Sequence, residues 1–145
     1  MTRTADLRIS LKARSSGFAV RSLLAEAMEV LATWGQPPET RGAIELALAE
    51  VLNNVVEHGY AFRDGGPFWL ELALTPSELI CTVIDQGLPY PGKTLPEGRE
   101  SLLDGPVDDL PEGGFGWHLI RQMTSRLQYE RRGGCNRLTL HFEVV

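Results

Sequence analysis

Residues 67–85 read as two consecutive strands with one face to bury. In PFWLELALT the residues Phe68, Leu70, Leu72 and Leu74 fall at every second position, so an extended chain places them on one side. ELICTVIDQ follows, after a turn built around Pro76-Ser77. Such a pair cannot stand alone in water, and its apolar side needs helices or a second sheet to cover it.

The flanking sequence supplies helices. Leu7, Ile9 and Leu11 alternate as a half-buried strand, and Ser15-Ser16 then offer N-cap oxygens. Leu23, Leu24, Ala27, Val30, Leu31 and Trp34 fall at helical spacing, and Gly35 ends the run. Pro37-Pro38 opens a second helix, where a missing N–H costs little. Its apolar stripe is Ile44, Leu48, Val51, Leu52 and Val55, ending near His58-Gly59. From Leu88 to Glu112 the chain is rich in Pro, Gly and acid without a sustained period, which predicts a long functional loop, a lid. A third helix starts at GGFG and runs through Trp117, Leu119, Ile120 and Met123. LQYERR and NRLTLHFEV close the chain as two strands joined at Gly133-Gly134, a strong hairpin signal. This order predicts one domain over 1–145, an α/β two-layer sandwich whose mixed, mostly antiparallel sheet is covered on one face by three main helices.

Composition narrows the class. The 145 residues are 43% hydrophobic and 23% charged, ordinary values for a globular domain. A net charge of −5 argues against a direct nucleic-acid binder, and no apolar run approaches membrane-spanning length. The start MTRTADLRIS lacks a signal-peptide apolar stretch, so the expected compartment is the cytoplasm. Cys81 and Cys135 have neither metal-ligand spacing nor the density of a disulfide scaffold.

Three constellations carry chemistry. In ELALAEVLNNVVEHGY, Glu50, Asn54 and His58 are spaced i, i+4, i+8 along one stripe displaced from the apolar one. A carboxylate there is able to accept a proton from an attacking hydroxyl, and an amide oxygen is a hard ligand suited to magnesium. A solvated helix face is the commoner meaning of such a stripe taken alone. The second constellation is VIDQG, where Asp85 ends a strand and Gly87 lets the backbone pass close to another group. An ionised aspartate only accepts hydrogen bonds, so it matches the exocyclic amine of adenine and not the carbonyl of guanine. A plain strand-ending turn would look the same. The third is Gly113-Gly114-Phe115-Gly116 at a helix start, where free N–H groups suit phosphate. A flexible hinge is its bland alternative.

In this order and spacing the three resemble the Bergerat-fold ATPases, the histidine-kinase-like superfamily. Within it, EVLNNVVEHGY and GGFGWHLIRQMTSRLQYERRGGCNRLTLHFE are similar to the anti-sigma-factor serine kinases of bacterial partner-switching systems. The resemblance covers nearly the whole chain. It implies ATP and Mg2+ as cofactors, Glu50 as general base on a partner serine, and Asn54 as magnesium ligand. Asp85 would contact adenine with Gly87 beside it, and Gly113, Gly114 and Gly116 would sit at the phosphates. His58 would have a supporting role. The implied substrate is a STAS-type anti-anti-sigma protein; a sigma factor is a further partner of the subgroup, and a homodimer is in keeping with it.

The chain departs from the pattern in two places. LPYPGK follows Gly87 where a further glycine-centred turn is expected, and Glu112 precedes the glycines where an arginine would assist the phosphates. Between Lys93 and Glu112 six acids face two cations, a net of −4. Between Arg121 and Arg137 five arginines accompany one glutamate, and one of them is a candidate to complete the site, although a solvated face is the expected place of Arg131 and Arg132. The alternative function is a non-catalytic module that regulates by association, with or without nucleotide. A detached histidine-kinase catalytic domain fits less well, because only about fourteen residues precede the first helix and they read as a strand.

Overall fold

The computed structural model describes residues 7–90 and 114–144. The predicted lid therefore lies, from residue 91 on, outside the described residues, as does Gly113. Five strands, β1 (Leu7–Arg14), β2 (Pro67–Leu74), β3 (Glu78–Asp85), β4 (Arg126–Arg132) and β5 (Cys135–Glu143), form one sheet in the order β1-β2-β3-β5-β4. Three helices, α1 (Ala19–Thr33), α2 (Pro38–Asn54) and α3 (Gly114–Met123), complete the described elements together with a π-helical turn over Val55–Gly59.

Every pairing in this sheet is antiparallel, not mixed as the sequence reading had it. The connection from β3 through α3 would make β4 a parallel neighbour of β3. The tight Gly133-Gly134 turn instead folds β5 back between them, with φ of 58° and 78° at the two glycines. Two successive positive φ values are what a hairpin of matching twist needs, and glycine adopts them without a Cβ penalty.

The alternation in the strands sorts the residues as expected. Phe68, Leu70 and Leu72 of β2, Leu79, Cys81 and Val83 of β3, and Leu138, Leu140 and Phe142 of β5 are buried. They meet Leu23, Ala27 and Leu31 of α1, Ile44, Leu48, Val51 and Leu52 of α2, and Trp117 and Ile120 of α3 in one continuous core. Burial pushes the Cys81 thiol well above its ordinary pKa, so it packs as a small apolar group. No helix among the described residues is long and apolar enough to cross a membrane.

The entry to α1 differs from the sequence expectation. Phe18 is the N-cap and no side chain caps the helix. Ser15 is 1% exposed and is used elsewhere. Its hydroxyl donates to the Arg63 carbonyl and accepts from the Gly66 N–H at 2.9 Å, while its own N–H reaches the Gly66 carbonyl at 2.7 Å. The end of β1 is thereby sewn to the loop before β2. At the other end of α1, Gly35 takes φ +84°, the left-handed conformation that closes a helix. Pro38 starts α2 as the sequence implied.

Candidate functional site

Three pieces of chain meet at one end of the sheet: the C-terminal half of α2 with its π turn, the end of β3, and the start of α3. What lets them meet is the lack of side chains at two glycines. A Cβ on Gly87 would lie 2.4 Å from the Gly59 carbonyl oxygen, and one on Gly59 would be 3.5 Å from Oδ1 of Asp85. The Leu88 N–H donates to the same Gly59 carbonyl at 2.8 Å. The π turn ends here, its widened i→i+5 geometry closed by the Tyr60 N–H donating to the Val55 carbonyl at 2.9 Å.

Asp85 is 4% exposed at the end of β3. Its Oδ1 accepts from the Gly87 N–H at 2.8 Å and from Nδ2 of Asn136 at 2.9 Å. Among the described residues both of these bonds fall on Oδ1 and none on Oδ2. Burial pushes the Asp85 carboxyl above its ordinary pKa, against the pull of the Asn136 amide, the Gly87 N–H and the Arg131 guanidinium. Asp85 and Asn136 line a cavity of about 60 Å³ with Asn54, His58 and Tyr90. Asn54 and Asp85, far apart in sequence, thus line one cavity.

Glu50 lies one helical turn before Asn54 and faces the start of α3. A Cβ on Gly116 would be 2.5 Å from Oε2 of Glu50, so the third glycine-rich constellation abuts the first. Gly114 is the first residue of α3. Glycine at 116 gives the carboxyl room to lie against the helix backbone. The described residues contain no group of three His, Cys, Asp or Glu side chains that would hold a metal unaided.

Arg131 is not on a solvated face. It is half-buried, and its Nη1 donates to the Gly87 carbonyl at 2.6 Å and to Oδ1 of Asn136 at 3.1 Å. Arg132, the next residue along β4 and so on its opposite face, is exposed and 3.8 Å from Glu130, as the sequence reading expected. Tyr129 donates its hydroxyl to Oδ1 of Asn136 at 2.6 Å and accepts from the Tyr90 N–H at 3.3 Å. The Tyr90 ring meets Tyr129 and Trp117 edge-on, with centroids 4.8 and 5.3 Å apart. Tyr60 clamps the other side, its hydroxyl donating to the Pro67 carbonyl and accepting from the Gln86 N–H.

Asn136 and Tyr129 were given no role from the sequence, nor was Tyr60 although it ends the first constellation, and Arg131 was expected on a solvated face. A signal for Asn136 was present: in NRLTLHF the inward positions read Asn136, Leu138, Leu140 and Phe142, and one polar residue on an apolar stripe needs a buried partner.

Known proteins are similar to this chain in sequence and in fold. A family model described as the histidine kinase-like ATPase domain matches residues 14–142. The serine/threonine-protein kinase BtrW of Bordetella bronchiseptica is 37% identical over 103 residues, which make up 69% of this chain and 68% of that protein. The serine-protein kinase RsbW of Halalkalibacterium halodurans is 35% identical over 95 residues, 63% of this chain and 56% of that protein. Among solved structures, the RsbU and RsbW domains of Rv1364c from Mycobacterium tuberculosis match with a TM-score of 0.65 at 20% identity. That match covers 94% of this chain and 32% of the other, and at such identity it speaks for the fold.

Proposed function

Since this chain belongs to the histidine kinase-like ATPase family, we propose that it is a protein-serine kinase acting as an anti-sigma or switch protein. In this reading it binds ATP with magnesium and phosphorylates a serine on a STAS-type anti-anti-sigma partner. The observation that carries it is the buried Asp85 carboxylate, held through one oxygen beside Asn54, with Glu50 one turn away against the start of α3. The names of the two relatives, both serine kinases, support the same activity.

The residues present fit the nucleotide. Oδ2 of Asp85 is an acceptor for the exocyclic amine of adenine, and the Gly87–Gly59 contact keeps that floor free of side chains. Asn54 would hold magnesium through its amide oxygen, with the phosphates supplying further ligands, since this ion is usually held by one or two protein groups. Bound there, the ion would neutralise charge on the phosphates. Gly114 and Gly116 at the first turn of α3 suit the phosphate oxygens. Glu50 would accept the proton of the partner's serine as its oxygen attacks the γ-phosphorus and the β–γ bridging bond breaks, leaving ADP and phosphoserine.

Calorimetry with Mg-ATP tests the site, comparing wild type with Asp85→Asn and Asn54→Ala. Micromolar to sub-millimolar binding, lost in the first variant and weakened in the second, is the expected result. A folded wild type that binds no ATP would overturn the kinase reading and favour a module working by association alone. Transfer to a STAS-type protein, abolished in Glu50→Gln with binding retained, would then establish the reaction.

A further inference from the structure

The most completely satisfied polar side chain around the cavity belongs to a residue outside all three motifs. Asn136 is 3% exposed and sits directly opposite Asp85 in the β3–β5 register. Its Nδ2 donates to Oδ1 of Asp85 and to the Leu88 carbonyl, each at 2.9 Å. Its Oδ1 accepts from the Tyr129 hydroxyl at 2.6 Å and from Arg131 at 3.1 Å. Both amide hydrogens and both lone pairs are thus used, the full capacity of the group. The alternative amide orientation would set Nδ2 against the guanidinium and Oδ1 against a carboxylate and a carbonyl. The chemistry of the four neighbours therefore fixes which way the amide points.

A fixed Asn136 fixes Asp85. A buried carboxylate with one donor would be free to rotate or to take up a proton, and either change would turn its ligand-facing oxygen into a mixed donor and acceptor. The Asn136 amide and the Gly87 N–H occupy Oδ1 and leave Oδ2 as a pure acceptor. Arg131 reinforces this twice, by holding Asn136 and by gripping the Gly87 carbonyl at 2.6 Å. The same amide ties Leu88, and Tyr129 ties Tyr90, so the wall of the cavity is set by the same group of side chains.

We propose that Asn136, held by Tyr129 and Arg131, is a positioning residue that determines nucleobase specificity by keeping Asp85 an acceptor for a purine 6-amine. This rests on the ATP-binding reading and goes beyond it, because it assigns discrimination to a strand residue that does not itself need to touch the base. A 6-oxo purine would meet acceptor with acceptor, leaving a buried carboxylate oxygen unpaired, and a site built for an N–H rejects a partner lacking it.

The test is equilibrium binding of Mg-ATP and Mg-GTP to wild type, Asn136→Ala and Tyr129→Phe, with folding checked by circular dichroism. Wild type is expected to favour ATP by at least about tenfold, the scale of one hydrogen bond to a charged group. Asn136→Ala is expected to lose ATP affinity while GTP binding stays or improves, so that the ratio collapses toward one. Tyr129→Phe removes only the hydroxyl and should move the ratio the same way by a smaller factor, and it carries the test if the alanine variant does not fold. A variant that binds both nucleotides less well in an unchanged ratio would show a merely structural role and overturn the proposal. Wild type that binds neither would overturn the ATP-binding reading and this inference with it, whereas wild type that prefers ATP with both variants unchanged would overturn the inference alone.

Discussion

A methyl group on Gly116 would stand 2.5 Å from Oε2 of Glu50. The start of α3 and the proposed general base therefore occupy adjoining space, and the obstacle is the far end of a flexible side chain, not backbone. Gly116→Ala should push the Glu50 carboxyl aside at little cost to folding, since alanine is the better helix former. The expected outcome is transfer slowed by a factor of about 10²–10⁴, as for loss of a general base, with the melting temperature kept or raised. Single-turnover phosphorylation beside thermal melting checks this; a variant that transfers at the wild-type rate would remove Glu50 from the reaction.

Gly87→Ala should behave differently. Its Cβ would lie 2.4 Å from the Gly59 carbonyl oxygen and 2.8 Å from the Gly59 Cα, both backbone atoms. Relief requires β3 and the end of α2 to part. A loss of roughly 1–3 kcal/mol in stability is expected from such overpacking, together with loss of ATP binding. Chemical denaturation and calorimetry on the same preparation measure the two effects.

Asp85→Asn separates stability from function. Burial raises the folded-state pKa of Asp85 above its unfolded value, so the ionised side chain opposes folding at neutral pH. That penalty is present above the folded pKa and fades as pH falls through it toward the unfolded value. The variant should thus be more stable than wild type near pH 7, with the difference shrinking in mildly acidic buffer. Its new amide would present a donor to the adenine amine, so ATP binding should be lost at every pH. Urea melts at a series of pH values would show the trend, and a variant less stable than wild type at neutral pH would contradict it.

Ser15→Ala tests the reassigned hydroxyl. A helix cap would be expected to loosen the start of α1, whereas the observed partners are Arg63 and Gly66. Removing the hydroxyl leaves the Gly66 N–H without its side-chain acceptor, at a cost of about 1–3 kcal/mol. Hydrogen exchange should accelerate in residues 60–66 more than in the first turn of α1.

Much of this was legible from period alone. The stripes of α1 and α2 and the alternation of β2 predicted which residues join the core, because burial of one face is what those periods encode. Glycine pairs such as Gly133-Gly134 marked their turn because few other residues accept a positive φ twice in succession. What was not legible depends on partners remote in sequence. The π turn over Val55–Gly59 is tied to the contact of Gly59 with Gly87 and Leu88, and nothing in VVEHG announces it. Arg131 reads as one of several surface cations until the hairpin brings it over the end of β3. Ser15 read as an N-cap, and the loop at Gly66, remote in sequence, takes its hydroxyl instead.

A single helix carries both the proposed general base and the proposed magnesium ligand, and this has a metrological meaning. Glu50 and Asn54 are separated by about 6 Å of axial rise, and each residue turns the next by about 100°. The α2 helix is therefore a ruler and a protractor in one piece. Length and angle cannot be adjusted separately: inserting one residue between 50 and 54 would lengthen the interval by about 1.5 Å and also swing Glu50 away from Gly116. A change of side chain on the outer face of this segment leaves both settings untouched, whereas an insertion or deletion between 50 and 54 alters them together.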